Sequence, residues 1–133
     1  MKYICLVYHE ERKLDAMSQG ELEALVGASI AWAEELEKRG HHIFSAGLPS
    51  VQTATTVRNR NGSLSITDGP FAETKEQLGG FTVFQARDLN EAIRLASKLP
   101  AARLGSIEVR PILAPDGEFL GSLDQKLGAA IRP

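Results

Sequence analysis

Lys2-Tyr3-Ile4-Cys5-Leu6-Val7-Tyr8 opens the chain with an extended run that is apolar on both of its alternating faces. Side chains along a strand point to opposite sides in turn, so Ile4, Leu6 and Tyr8 share one face while Tyr3, Cys5 and Val7 share the other. A strand with one face in water alternates apolar with polar residues. This one does not, so something has to cover each side of it.

Working outward, Ser18-Gln19-Gly20-Glu21 has the spacing of a capping box, in which hydroxyl and carboxylate each accept a bond from an otherwise unpaired amide, and it predicts a helix ending before Gly40. Leu22, Leu25, Val26, Trp32, Ala33 and Leu36 recur at helical spacing, and Glu34, Glu35, Glu37 and Lys38 form a solvated face. Ser29 falls inside the apolar stripe. His41 to Leu48 is extended again until Pro49-Ser50 breaks it. Thr53 to Arg58 and Ser63 to Thr67 read as a hairpin, because Asn61-Gly62 between them supplies the positive φ angles of a tight turn. Asp68-Gly69-Pro70 predicts a bend, and Gly79-Gly80 reads as a second turn closing a charged loop. Phe81 to Ala86 is a strand. Asp88-Leu89-Asn90-Glu91 opens a second helix with Leu89, Ala92, Ile93, Ala96 and Leu99 inward, and Ser106 to Ile112 is the last strand. Beyond Leu113 the periodicity is weak: Pro115-Asp116-Gly117 reads as a turn, while Phe119, Leu120, Leu123 and Leu127 are candidates to dock on the body or on a partner.

With the hairpin set aside, the order is strand, helix, strand, strand, helix, strand, an α+β ferredoxin-like βαββαβ unit with an inserted β-hairpin. Two helices cover only one face of its sheet. The doubly apolar first strand therefore predicts a homodimer, with two sheets closing into a barrel-like core. The 133 residues suit one domain, and 43% apolar with 24% charged residues is ordinary for a soluble globular chain. A net charge of -2, with Lys and Arg scattered among acids, speaks against direct nucleic-acid binding. No apolar run approaches the ~20 residues of a spanning helix and no export signal opens the chain, so no membrane contact is expected and the cytoplasm is the expected location. Cys5 is the only cysteine, which rules out an internal disulfide, and its place in the apolar strand reads as a small buried hydrophobe rather than a nucleophile. Neighbouring His41 and His42 on a regular strand would point to opposite faces, and no metal-ligand spacing, phosphate cradle or nucleophile elbow is present. No cofactor or metal is expected.

Candidate chemistry gathers around the charged loop. Asp68 is the candidate catalytic residue, as a general base if the fold brings it to the edge of a cleft, set against a role in accepting amide bonds within its own turn. Lys75 is a candidate anion-binding group and Glu73 or Glu76 an acid-base partner, set against solvated loop charges; a helical turn over Thr74 to Leu78 would make Lys75 and Glu76 diverge by about 100°. His9, at the end of the first strand before Glu10 and Glu11, is a candidate for a cleft rim or a plain soluble loop. Ser29 is a candidate ligand donor or a hydroxyl bonded back to the helix carbonyl one turn earlier. Glu108 and Arg110 alternate on one face of the last strand and read as an ion pair across strands or subunits.

Asp68-Gly69-Pro70-Phe71, continued by Glu73-Thr74-Lys75-Glu76-Gln77-Leu78-Gly79-Gly80, resembles the motif of the DGPF-type proteins of the YCII-related superfamily. Met1-Lys2-Tyr3, Ala54-Thr55-Thr56-Val57-Arg58, Leu99-Pro100-Ala101-Ala102-Arg103 and Ile107-Glu108-Val109-Arg110-Pro111 agree with it. The resemblance covers residues 1–112 as a YCII-related (DGPF) domain, leaving 113–133 as a C-terminal extension with no domain of its own, and it implies a dimeric α/β barrel. Better-studied relatives resemble small enzymes with a His-Asp pair whose histidine, on the first helix, would fall near Ser29. None of the three histidines lies between Ser18 and Gly40, so that pair is not carried over. The expected function is binding of a small molecule in a cleft between sheet, first helix and Asp68 loop, with cofactor-free acid-base chemistry. DGPF-type proteins also resemble domains found beside or fused to extracytoplasmic-function sigma factors, which implies the alternative of a non-catalytic regulatory or protein-interaction module.

Overall fold

The first strand, β1 (Lys2–His9), is an inner strand, hydrogen-bonded antiparallel on both sides in a computed structural model that describes residues 1–113 and 122–131. With β2 (His42–Gly47), β5 (Gln77–Gln85) and β6 (Gly105–Pro111) it forms a four-stranded sheet of order β2-β5-β1-β6, the ferredoxin-like arrangement. The inserted hairpin, β3 (Thr55–Arg60) and β4 (Ser63–Asp68), forms a separate two-stranded sheet around the turn at Asn61-Gly62, where Asn61 has φ 54°.

One face of the sheet carries the helices. The helix α2 (Gln19–Lys38) starts at the expected capping box: Ser18 Oγ accepts from the Glu21 amide at 3.1 Å, and the Glu21 carboxylate accepts from the Ser18 amide at 3.3 Å. Asp88 caps α3 (Leu89–Ala96) by accepting from the Glu91 amide at 2.9 Å. Tyr3 and Cys5 of β1, Phe84 of β5, Leu36 of α2 and Ala92, Leu95 and Ala96 of α3 form the core, and the Trp32 indole packs on it while donating to the Leu95 carbonyl at 3.0 Å. Leu36 is the one fully buried residue of α2, and Val26 and Ile30 stay half exposed. The C-terminal half of the helix thus seats on the sheet while its N-terminal half stands off.

Several expectations need correction. The strand after the charged loop starts at Gln77, not Phe81, and Gly79-Gly80 lies inside it. A bulge sits there: Val7 pairs with Gly80 but Tyr8 with Leu78, so Gly79 is the extra residue. A Cβ on Gly79 would collide with the His9 ring, so glycine serves close approach at this position rather than a turn. No helical turn forms over Thr74 to Leu78. The inner face of α3 is rotated: Glu91 and Leu95 are buried, whereas Leu89 and Ile93 are half exposed. Glu91 can take an inner position because its carboxylate accepts from the Arg87 amide at 3.0 Å and pairs with the guanidiniums of Arg87 and Arg94 at 3.0 and 3.3 Å. Two further helices went unread, the short α1 (Glu11–Asp15) and α4 (Ser122–Ala130). Pro115-Asp116-Gly117, Phe119, Leu120 and the Leu123 side chain lie outside the described residues; Leu127 is exposed on α4. Among the described residues no helix is long and apolar enough to cross a membrane.

The other face of the sheet carries no helix. Ile4, Leu6 and Tyr8 lie on it with Phe81 and Val83, and Phe44 stacks against Phe81 with ring centroids 5.9 Å apart. Glu108 and Arg110 are on this face too, opposite Leu6 and Ile4.

Candidate functional site

Where α2 stands off, a cleft of about 390 Å³ opens between the helix and the sheet. Its walls are mostly apolar. Leu14 comes from α1, Leu22, Leu25, Val26 and Ile30 from α2, Val7 from β1, and Leu99, Ala101 and Leu104 from the 3₁₀ turn Pro100–Arg103 and its flanks. Besides Trp32, whose indole N–H is taken by the Leu95 carbonyl, four side chains bring hydrogen-bonding groups to it: His9, Ser29, Ser45 and Thr82. Apolar walls with a few placed polar groups are the usual make-up of a small-molecule site.

His9 ends β1 on the helix side, with its ring over Gly79. Among the described residues no hydrogen-bond partner faces its ring nitrogens, so both remain free for the cleft. Ser29 also lines the cleft, but its hydroxyl donates to the Leu25 carbonyl at 2.9 Å, the back-bond weighed from the sequence. Ser45 and Thr82 sit opposite each other on β2 and β5 with their oxygens 2.8 Å apart, and His42 Nε2 lies 2.8 Å from Ser45 Oγ. Burial pushes the Cys5 thiol, on the neighbouring strand opposite Thr82, above its ordinary value of 9.0. His41 is turned elsewhere, its Nδ1 2.8 Å from the Gln85 carbonyl.

The charged loop stands apart from these groups. Asp68 is exposed at the end of β4, paired in register with Thr55, and does not line the cleft; among the described residues no hydrogen bond or ion pair reaches its carboxylate. The bend beyond it has Gly69 at φ 97°, a left-handed conformation that favours glycine, and is held by Thr56 Oγ1 donating to the Gly69 carbonyl at 2.8 Å. Glu73 is exposed. Lys75 Nζ is 3.7 Å from Glu10 on the surface, and Glu76 accepts from the Ser106 hydroxyl at 2.7 Å. Gln77 donates to the Thr74 carbonyl at 2.7 Å and accepts from the Glu11 amide at 3.0 Å, while Glu11 accepts from the Ser50 hydroxyl and the Val51 amide at 2.9 and 2.8 Å. Lys75 and Gln77 thus tie the loop to the segment that follows His9, and Glu76 ties it to β6. Of the six candidates, the structure brings His9 and Ser29 to one cleft and leaves Asp68, Glu73, Lys75 and Glu76 outside it.

Fold and site together define a ferredoxin-like α+β domain of the dimeric α/β barrel class, with a ligand-sized cleft between its sheet and its long helix. The chain belongs to the YCII-related domain family, whose model matches residues 1–120. It is 37% identical to Uncharacterized protein R00369 of Rhizobium meliloti (strain 1021) over 114 residues, 84% of this chain and 92% of that one. Its fold is similar to that of 5-chloro-2-hydroxyhydroquinone dehydrochlorinase (TftG) from Burkholderia phenoliruptrix AC1100, solved in complex with 2,5-dihydroxybenzoquinone. The TM-score is 0.51, with 86% of this chain and 95% of that chain covered at 14% identity, a likeness of fold.

Proposed function

We propose that the cleft binds a small, ring-sized organic molecule bearing oxygen substituents, and that His9 exchanges a proton with it, in a cytoplasmic homodimer. The observation that carries this reading is the convergence of free imidazole nitrogens and two hydroxyls on a cleft whose walls are otherwise apolar. An imidazole gives and takes a proton with equal ease, and apolar walls exclude the water that would compete for it. The quinone bound by the structurally similar dehydrochlorinase is a ligand of this kind, and it supports the choice of ligand class by analogy of fold alone. In this reading Asp68 serves the hairpin end, and acid-base work falls to His9.

The test is a thermal-shift screen with phenols, quinones and cyclic carboxylates. A ligand that binds only the folded state at 100 times its Kd adds about 2.7 kcal/mol, several degrees in Tm for a chain of this size. His9→Gln should keep that shift within a degree or two while abolishing turnover of any compound the wild type converts. Equal shifts in a Leu25→Arg variant, whose side chain would fill the cleft, would place binding elsewhere and end the proposal.

A second observation favours a protein contact on another side of the molecule. Val57, Leu64 and Ile66 of the hairpin are each more than 60% exposed and Phe71, just beyond it, is 79% exposed, a run of uncovered apolar side chains. A second copy of this chain is the partner assigned to it.

A further inference from the structure

Ser45 and Thr82 lie along the cleft from His9, and behind them stands a group that does not itself line it. His42 Nε2, Ser45 Oγ and Thr82 Oγ1 are joined in series at 2.8 and 2.8 Å. Thr82 is buried in the wall, whereas His42 is half-buried on an edge strand, so the series leads from the cleft toward solvent. On a regular strand, residues 42 and 45 would point to opposite faces. The bulge between His42 and Phe44 corrects the parity: His42 pairs with Phe84 and Ser45 with Thr82, and all four lie on the helix side.

Resting on the cleft reading above, we infer that His42, Ser45 and Thr82 form a proton relay that recognises a hydroxyl of the bound molecule and takes its proton. A hydroxyl has one proton to give and lone pairs to accept with, so each member can accept from the cleft side while donating toward His42. When the ligand O–H bond breaks, its proton passes to Thr82 Oγ1, the Thr82 proton passes to Ser45 Oγ, and the Ser45 proton passes to His42 Nε2. The products are a ligand oxyanion and an imidazolium. No electron pair leaves the system, and the reverse order restores the starting state. Linked hydrogen bonds polarise one another, which favours such a concerted shift.

The spacing points to the shape of the ligand. Thr82 and Gly79, over which the His9 ring lies, are three residues apart on β5, about 10 Å at ~3.3 Å per residue. A hydrogen bond of ~2.8 Å at each end leaves about 4–5 Å between the polar atoms of a molecule bridging them. That is the span of a six-membered ring substituted at its 1 and 3 carbons, with the relay on one substituent and His9 on the other.

4-Nitrophenol tests the relay, because its one hydroxyl can donate to Thr82 and its ionisation is visible as colour; nitrobenzene lacks the hydroxyl. Wild-type protein should bind 4-nitrophenol about tenfold more tightly than the near-isosteric Thr82→Val variant, while nitrobenzene binds both alike. At pH 7 a larger fraction of the bound dye should be phenolate on the wild type than on His42→Gln, which retains dye affinity within about threefold. Unchanged Tm in both variants would exclude a folding defect as the cause. Equal affinity in Thr82→Val, or the same phenolate fraction in His42→Gln, would overturn the relay while leaving the cleft reading intact. Binding of neither compound to wild-type protein would remove the cleft reading and the relay together.

Discussion

The His9 ring occupies the space that a Cβ on Gly79 would take, and the two define each other. Gly79→Ala puts a methyl where the imidazole lies, so the ring must rotate away; overpacking of this kind costs about 1–3 kcal/mol. Urea denaturation should show that loss, and the His9 ring resonances should move; an unchanged midpoint with unmoved resonances would contradict the packing described. Cys5 yields a prediction in pH. Its thiol is raised above 9.0 by burial, so the folded state holds this proton more tightly than the unfolded chain. Its contribution is whole below pH 9 and is lost as pH climbs from there through the folded value. Tyr3 has the same sign from an ordinary 10.0, raised by burial and then by Asp88. Stability should therefore fall above pH 9 and fall less steeply in Cys5→Ala, as read from urea midpoints between pH 8 and 10.5. Part of the site was legible at this scale. His9 carried two readings at a strand end, a cleft rim or a plain soluble loop, and the Ser29 back-bond followed from its place in a helix. His42 and Ser45 could not be joined on paper, because simple alternation separates residues 42 and 45, and only the bulge, set by pairing with β5, puts them on one face.

At the scale of elements, the parts governed by local chemistry were readable. The capping box of α2, the Asp88 cap of α3, the Asn61-Gly62 turn, the bend at Gly69 and the strand-helix order all follow from short-range rules and appear where those rules put them. What local rules missed was decided by distant partners. Gly79-Gly80 has the composition of a turn, yet His9 and Ala46 press against it from neighbouring strands and make it the middle of β5. The face of α3 was missed because buried Glu91 is satisfied by its own helix and the residue before its cap. The N-terminal half of α2 borders the cleft without being seated on the core, so its first turn depends on Ser18 and Glu21 more than a packed helix would. Ser18→Ala should cost about 1 kcal/mol. Hydrogen exchange should quicken in residues 19–25 ahead of residues 32–38; uniform quickening along α2 would mean that the helix is one cooperative unit and that the cleft side is not the looser end.

At the scale of the molecule, the apolar surface left uncovered is too coherent to be incidental. Ile4 and Leu6 share the helix-free face with the Phe44–Phe81 pair, and the hairpin presents Val57 directly opposite Ile66 with Leu64 next along. A two-stranded hairpin is marginal by itself in water, and this one forms a sheet of its own. Its apolar face at more than 60% exposure needs cover of the same kind as the open side of the main sheet. A twofold pairing of two chains supplies both covers with one surface, because a patch that complements itself closes the assembly and leaves no free edge of the contact. Glu108 and Arg110 then lie between subunits rather than in water, where opposite charges facing one another fix the register of the pairing. A stable contact of this type buries about 1,200–2,000 Å² in total. Light scattering at micromolar concentration should therefore give twice the chain mass, and Tm should rise with protein concentration. The double substitution Val57→Asp and Ile66→Asp places two carboxylates opposite each other in each subunit and at the contact, so it should yield monomers of lower Tm that no longer respond to concentration. A wild-type chain that stays monomeric, with a Tm independent of concentration, would show instead that the doubly apolar β1 is sheltered within one chain, and the pairing would have to be abandoned.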